Sequence, residues 1–119
     1  MSFEELVEKI RESERGISCI GVSAFDGLII AKWSQQEEGP DPSSLAAELS
    51  FILKEVKRVC EDLGLPPSEE ISFGGREGFV HVTVVGEEYF LFAVTSEGRL
   101  TGKTRFYMKH AGELLREIL

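Results

Sequence analysis

Basic residues are scarce in this sequence. The 13 lysines and arginines face 21 aspartates and glutamates, which leaves a formal net charge of -8. Recognition of nucleic acid requires a basic stripe or patch, so nucleic acid is not an expected partner. An acidic chain is better suited to a basic protein surface. Apolar runs long enough to span a bilayer are also missing, so we expect no membrane span.

Cysteine is scarce as well, since the 119 residues contain 2 of them. Cys19 and Cys60 are far apart and lie within apolar patterns, which indicates reduced thiols in a core rather than a disulfide framework. The opening segment MSFEELVEKI is acidic and lacks the basic region of a secretory signal peptide. We therefore expect a cytoplasmic protein, with residues 1–119 forming a single domain.

Motifs of catalysis and cofactor binding are missing too. The sequence has no P-loop and no Rossmann glycine fingerprint. His81 and His110 have no cysteine, histidine or carboxylate at the spacing of metal ligands, and the serines lack the context of a nucleophile elbow. The sequence therefore predicts no enzyme activity, no cofactor and no metal site.

Residues 16–33 predict a β-hairpin in the middle of a sheet. Asp26-Gly27 separates two apolar runs, which is the pattern of a two-residue type I′ turn. The register of that turn predicts the pairs Phe25–Leu28, Ala24–Ile29, Val22–Ala31 and Ile20–Trp33. Both faces of the hairpin are largely apolar, so we expect it to be covered on both sides.

The longest predicted element is a helix over Pro42–Leu63. Asp41 is a good N-cap, Pro42 suits the first helical position, and Gly64 is a natural stop. One narrow apolar face is predicted to cover the sheet, consisting of Leu45, Leu49, Ile52, Val56, Val59, Cys60 and Leu63. A further stripe contains small side chains that would let another helix approach closely, and consists of Ala46, Ser50 and Leu53.

The opposite face of this helix carries a large aromatic residue. Phe51 lies there among the charged residues Lys54, Glu55 and Arg58. A phenylalanine packed beneath a loop or against the helix flank is one interpretation, because scattered exposed apolar residues are common. An aromatic anchor ringed by charges is the other, since interface hot spots have this composition. The pattern alone favours neither interpretation.

The remaining patterns predict a short helix before the hairpin, three more strands after the long helix, and a closing helix. The fold class is therefore α/β of the α+β type, with topology αββαβββα. All five strands are predicted to form one antiparallel sheet with helices on both faces. The first hairpin strand and the strand over 89–95 are apolar on both faces. Placing them side by side gives the strand order 2-1-5-4-3.

In that order the strand over 70–75 is an open edge that contains Ile71 and Phe73. Native proteins rarely leave such an edge unprotected, so we expect a homodimer in which this strand pairs with its own copy. The two long helices would then lie together on one face of the joined sheet. Their close approach would use the small side chains at Ala46, Ser50 and Leu53.

Several stretches, in this order, resemble the Roadblock / dynein light chain family, including its MglB-like prokaryotic members. They are the hairpin GVSAFDGLIIAKW, the helix LAAELSFILKEVKRVCEDLG, the strands ISF, FVHVTVV and YFLFAVT, and the closing TGKTRFYMKHAGELLREIL. A glycine-containing loop before the last helix is a further marker. The resemblance covers essentially the full chain and implies a roadblock or profilin-like fold. It also implies homodimers or heterodimers that bind and regulate small Ras-like GTPases, or serve as scaffolds around them and around dynein, without being hydrolases.

Two functions fit these observations. The first is a non-enzymatic dimeric regulator or scaffold for a small Ras-like GTPase, with Phe51 and the three charged residues around it as the partner-binding surface. The alternative is a ligand-sensing domain of the profilin-like or PAS-like type, with a cavity lined by Gly21, Ser23 and Ala24. A pocket between sheet and helix favours the sensor, whereas a filled core favours the scaffold.

Overall fold

Within the residues that the computed structural model describes, 2–13, 16–35, 40–96 and 102–118, there are three helices and five strands. In chain order they are α1 (Phe3–Ser13), β1 (Ile17–Ala24), β2 (Ile29–Ser34), α2 (Pro42–Leu63), β3 (Glu70–Gly75), β4 (Gly78–Val85), β5 (Tyr89–Thr95) and α3 (Gly102–Ile118). This order confirms the predicted topology. The glycine-containing loop before the closing helix, at residues 97–101, lies outside the described residues.

The strands form one antiparallel sheet in the order β2-β1-β5-β4-β3, as predicted. β1 and β5 are central because their side chains are largely apolar on both faces and most of them are buried. They pair from Ile17 opposite Thr95 to Ala24 opposite Tyr89, with one shift of register between Ile17 and Cys19. β2 and β3 are left as the two edges of the sheet.

The hairpin turn differs from the predicted type I′ turn. The Gly27 N–H donates to the Ala24 carbonyl at 2.9 Å, and the Ala24 N–H donates to the Leu28 carbonyl at 2.9 Å. The loop is therefore Phe25-Asp26-Gly27, and Leu28 faces Ala24 rather than Phe25. Gly27 has a φ of +93°, whereas no described residue other than glycine has a positive φ, so Asp26 cannot occupy a type I′ position. Its carboxylate instead accepts the Leu28 N–H at 3.0 Å, as aspartate often does in turns.

The longer loop shifts the register by one residue, and a bulge then shifts it back. Ser23 pairs with Ile29, whereas Val22 pairs with Ala31 and leaves Ile30 as the extra residue. The predicted Val22–Ala31 and Ile20–Trp33 pairs are confirmed, and the predicted Ala24–Ile29 pair is wrong. One consequence is that Ile29 packs on the side of the sheet that α2 covers.

Helices cover both faces of the sheet, as predicted. α1 and α3 contact each other on one face, where Ile10 and Met108 are fully buried in the core. α2 lies on the other face and is closest to β1 and β2, and the core on that face extends across the sheet through Phe90 and Phe92 to Ile71 of β3. Since both faces carry a packed core, the apolar character of the central strands on both sides is explained.

The two cysteines are free. Cys19 is fully buried on the α2 side of the sheet, and this burial raises the pKa of its thiol to about 12. Cys60 is half-buried on α2. A neutral, buried thiol at Cys19 behaves as a small apolar side chain of the core, as the sequence predicted.

Candidate interaction surface

Local sequence fixes both ends of α2. The Asp41 carboxylate accepts hydrogen bonds from the Ser43 N–H at 3.2 Å and from the Ser44 hydroxyl at 2.9 Å. These bonds lower the pKa of Asp41, the Ser44 hydroxyl contributing most. At the other end Gly64 adopts the left-handed conformation, with φ 69°. The caps therefore define a helix of 22 residues, Pro42–Leu63, as predicted.

α2 is anchored to the sheet along the first half of its length only. Its buried residues are Pro42, Ala46, Leu49, Ser50 and Leu53. The Ser50 hydroxyl donates to the Phe25 carbonyl, which ties the helix to the hairpin loop. Ala46, Ser50 and Leu53 were predicted to lie between the long helices of two protomers. The structure places them between α2 and the sheet of the same chain.

The predicted apolar face of α2 is wrong for the part of the helix after Leu53, where no residue is buried. Val59 is 47% exposed and Leu63 is 66% exposed. We use the term α2 stripe for Ile52, Val56, Val59 and Leu63, which share one side of the helix at spacings of four, three and four residues. An uncovered apolar stripe of this kind is typical of an interaction surface.

The structure brings the four predicted partner-binding residues together on an exposed side of α2. Phe51 is 68% exposed, so it is not packed beneath a loop. Arg58 forms ion pairs with Glu55 at 2.8 Å and with Asp62 at 3.5 Å. We call Phe51, Lys54, Glu55 and Arg58 the Phe51 patch. An exposed aromatic ring framed by ordered charges has the composition of a protein-binding surface.

β3 is an open edge of the sheet, as predicted. In the described part of the chain it pairs with β4 alone, from Glu70 opposite Thr83 to Gly75 opposite Gly78. Ile71 is half-buried on the α2 side, and Phe73 on the same side is 40% exposed. The strand therefore offers unpaired backbone groups and an apolar side chain together.

A polar cluster that sequence reasoning missed lies on the α3 side of this edge. His81 on β4 is fully buried, and its Nδ1 contacts the Ser72 hydroxyl on β3. Its Nε2 is 3.5 Å from the Glu70 carboxylate, which is 3.7 Å from the Arg105 guanidinium of α3. Burial is the main cause that lowers the pKa of His81; the Glu70 carboxylate opposes this effect and Arg105 adds to it.

The free energy of unfolding is expected to depend on His81 below neutral pH. Unfolded histidine binds a proton near pH 6.5, whereas folded His81 stays neutral to a lower pH, so the unfolded state binds more protons in that window. The contribution of His81 to the free energy of unfolding is therefore fully present above about pH 6.5. Below that pH the free energy of unfolding falls by up to about 1.4 kcal/mol per pH unit. Urea denaturation at a series of pH values measures this slope.

His81→Gln is the variant that tests this prediction, and His110→Gln is its matched control. His110 is exposed on α3, so its replacement controls for the substitution of glutamine for a histidine as such. In the His81→Gln variant, the slope of the free energy of unfolding against pH should lose the part that corresponds to the binding of about one proton. Equal slopes for wild type and His81→Gln would contradict the assignment of this pH dependence to His81.

The site predicted for a sensor cavity is filled. A Cβ built on Gly21 would lie 2.3 Å from the Phe92 ring, because that ring packs directly on the glycine. Ser23 is buried, and its hydroxyl donates to the Ala24 carbonyl at 2.8 Å. Close packing at this point favours the scaffold interpretation over a ligand cavity lined by Gly21, Ser23 and Ala24.

Two further properties of the described residues bear on other functions. His, Cys, Asp and Glu side chains do not gather there into a group of three that could hold a metal ion. None of the helices in the same residues is both long and apolar enough to cross a lipid bilayer.

A five-stranded antiparallel sheet in the order 2-1-5-4-3, with helices on both faces, defines the roadblock and profilin-like class of α/β domains. The chain belongs to the Roadblock/LC7 domain family, whose model matches residues 3–96. Domains of this family are generally non-catalytic and regulatory. Comparison with curated protein sequences gives no match.

Solved structures share this fold over nearly the whole chain. The gliding protein MglB from Thermus thermophilus has a TM-score of 0.85 at 22% identity, covering 96% of this chain and 85% of that chain. MglB from Myxococcus xanthus has a TM-score of 0.84 at 16% identity, covering 99% and 97%. A third structure is described as MglB with tetrameric arrangement, with a TM-score of 0.85 at 22% identity and coverage of 96% and 85%. At these identities the similarity establishes the fold.

Proposed function

We propose that the chain forms a homodimer that acts in the cytoplasm as a non-enzymatic regulator or scaffold and binds a small Ras-like GTPase. The observation that carries this proposal is the apolar and aromatic surface left uncovered along α2, in a chain of the Roadblock/LC7 family. The tetrameric arrangement of one MglB with the same fold supports self-association. The free cysteines support a reducing compartment.

In the proposed dimer, β3 of one protomer pairs with β3 of its partner across a two-fold axis and joins two five-stranded sheets. Ile71 and Phe73 then lie at the join. On the same face of the joined sheet the two α2 stripes pack against each other, which removes their apolar surface from water. The proposed dimer also depends on the side chains beneath each helix, Ala46, Ser50 and Leu53, because they hold α2 on its own sheet.

The Phe51 patch is the proposed GTPase-binding surface. It lies about a third of a turn around the helix from the α2 stripe, so it remains exposed when the stripes are paired. Phe51 fills a pocket on the GTPase, and the charged neighbours exclude water and set the register of the complex. The two patches of a dimer form one joint surface.

Arg58 has a positional role in this proposal rather than that of an arginine finger. A finger must reach the γ-phosphate of a bound nucleotide. Arg58 is instead held on the helix by Glu55 and Asp62. These exposed ion pairs orient the guanidinium across the surface of α2, where it can contact acidic residues of the partner.

Replacing Phe51 with alanine is expected to weaken GTPase binding by about thirtyfold, the equivalent of about 2 kcal/mol at an interface hot spot. Phe51 is 68% exposed and belongs to neither core of the described residues, so the fold and the dimer should be unchanged. The measurement is calorimetric titration of the genomically neighbouring Ras-like GTPase in its GDP-bound and GTP-bound states.

Phe106→Ala is the matched control, because Phe106 is 67% exposed on α3 at the opposite face of the sheet. This variant should bind the GTPase as the wild type does. Equal affinities for wild type and Phe51→Ala would show that the surface is misplaced. Failure of the wild type to bind either nucleotide state would contradict the GTPase assignment.

A further inference from the structure

β2 is the second open edge of the sheet, and the proposed dimer leaves it uncovered. In the described part of the chain β2 pairs with β1 alone. Pairing of β3 across a two-fold axis would place the two β2 strands at the outer edges of the joined sheet. An open edge is a template on which a further strand can pair.

The register of the hairpin shows which backbone groups of β2 face outwards. The Gln35 N–H donates to the Ser18 carbonyl at 2.9 Å, so every second residue back along β2 directs its backbone groups to β1. The N–H and C=O groups of Lys32 and Ser34, which lie between those residues, therefore point away from the sheet. The bulge at Ile30 ends this regular stretch. A partner strand would pair with the part of β2 that follows the bulge.

A groove of about 400 Å³ lies between α1 and β2, directly beside this edge. Val7 of α1 and Ala31 of β2 are almost fully buried and form its apolar floor. Ile30 is 37% exposed and Trp33 is half-buried, so these two side chains bring accessible apolar surface to the groove. The Arg11 guanidinium lies over the Trp33 ring, 5.6 Å from its centre, and helps to hold the ring in place.

The side of the groove that α1 forms is acidic. Glu4 and Glu8 line it, and they share one side of the helix because they are four residues apart. Glu8 pairs with Arg11, which is also 3.8 Å from Glu12, whereas Glu4 forms no ion pair within the described residues. Three carboxylates therefore face one guanidinium here, and the excess negative charge favours a basic partner.

A second copy of this chain is a poor occupant of the β2 edge. Two β2 strands paired across a two-fold axis would bring the α1 helices to one face, where Glu4 and Glu8 of the two protomers repel each other. The bulge at Ile30 and the lysine at position 32 are features by which edge strands avoid pairing with their own copies. The Lys32 ammonium donates to the Ser43 hydroxyl of α2 at 3.1 Å, so its charge lies towards the other face of the sheet and leaves the groove acidic.

We propose that β2 binds an extended basic segment of another protein, which adds to the sheet as a strand along residues 31–34. Main-chain hydrogen bonds to the outward groups of β2 supply affinity, and side chains two residues apart face α1 and supply specificity. An apolar side chain of the segment packs against Ile30 and Trp33, and a lysine or arginine next to it pairs with Glu4. This surface is separate from β3 and from the Phe51 patch, so each protomer of a dimer binds its own segment.

The test uses heptapeptides of the pattern Thr-X-Thr-Lys-Thr-X-Thr with blocked ends, in which X is valine, leucine, isoleucine, phenylalanine or tyrosine. Trp33 is the only tryptophan of the sequence, so its fluorescence reports on the groove. Titration to millimolar peptide should change this fluorescence for at least one peptide, with amide shifts in NMR spectra at Lys32 and Ser34. The same peptide with glutamate in place of lysine should bind at least about tenfold more weakly. N-methylation of the peptide backbone should abolish binding, because an added strand needs its N–H donors.

Two variants of the full chain test the two halves of the proposal. Glu4→Lys reverses an exposed charge of the groove and should weaken binding by at least about tenfold. Lys32→Pro removes an N–H that points away from β1 and should abolish binding, since proline is tolerated at such positions of edge strands. Glu61→Lys is the matched control, because Glu61 is an exposed glutamate on α2, and it should bind the peptide as the wild type does. Phe51→Ala should also bind the peptide normally, which separates this result from that for the GTPase.

The proposal is overturned if none of the peptides changes the fluorescence of Trp33, or if the lysine and glutamate peptides bind equally well. Full affinity in both Glu4→Lys and Lys32→Pro, with native spectra, would also overturn it. A change of Trp33 fluorescence with protein concentration alone, without an effect of any peptide, would assign the edge to a second copy of the chain and contradict the proposal.

Discussion

Replacing Gly21 with valine is expected to destabilise the protein by about 3 kcal/mol, because the new side chain overpacks a filled core. The Cβ would lie 2.3 Å from the Phe92 ring and 3.0 Å from the Ile29 Cδ1. Phe92 is fully buried between α2 and the sheet, so its ring has no free space into which to move. Urea denaturation of wild type and variant measures the difference in the free energy of unfolding.

Gly75→Val is the matched control for Gly21→Val. Gly75 is also a strand glycine, but a Cβ built there meets nothing within 4 Å. Its replacement should change the free energy of unfolding by less than about 0.5 kcal/mol, as is usual at exposed positions. Equal unfolding midpoints for the two variants would show that the Phe92 ring does not pack on Gly21.

Replacing Phe73 with aspartate is expected to shift the proposed dimer to monomer. Phe73 lies on the open edge and is 40% exposed in the single chain, so the fold of the chain depends little on it. In the dimer it would be covered, and burying an unpaired carboxylate there would raise the dissociation constant by a hundredfold or more, about 3 kcal/mol. Sedimentation velocity at micromolar concentration measures the two states.

Leu28→Asp is the control for this substitution. Leu28 is an exposed leucine directly before β2, at the other edge of the sheet, so the variant should sediment as a dimer. Val59→Asp tests the contribution of the α2 stripe and should also shift the equilibrium to monomer. A wild-type protein that sediments as a monomer under these conditions would rule out the proposed dimer.

The sequence predicted the strand order because a single physical requirement determines it. Strands that are apolar on both faces must lie inside the sheet, and β1 and β5 are the two that meet this description. Once they are neighbours, the short connections place β2 beside β1 and β4 beside β5. The open edge at β3 then follows.

The turn was harder to predict because Asp-Gly is compatible with two loops. A type I′ turn and a type I turn followed by a left-handed glycine both use glycine at position 27 and differ in the φ of Asp26. Contacts outside the hairpin also affect which of the two loops forms. A Cβ at Gly27 would lie 3.1 Å from the Ala47 Cα, so the loop is packed against α2.

The buried side of α2 was mispredicted for a related reason. Hydropathy gives most weight to leucine, isoleucine and valine, whereas the buried residues include Ala46 and Ser50. Small side chains let the helix come close to the hairpin. The larger side chains at Ile52, Val59 and Leu63 lie on another side of the helix and are exposed. The contact of Ser72 with His81 likewise required the register of β3 against β4, which the alternation of either strand alone does not give.

The half-anchored α2 has a consequence for the energetics of the helix itself. Beyond Leu53 its hydrogen bonds are supported by local helix propensity and by surface ion pairs such as Arg58–Glu55, which contribute little. Local opening of the backbone therefore requires less free energy towards Leu63 than near Ala46. Any molecule that covers the second half of α2 also orders it, so part of the binding free energy is used to suppress fraying. Recognition at this end of the helix is coupled to its stability.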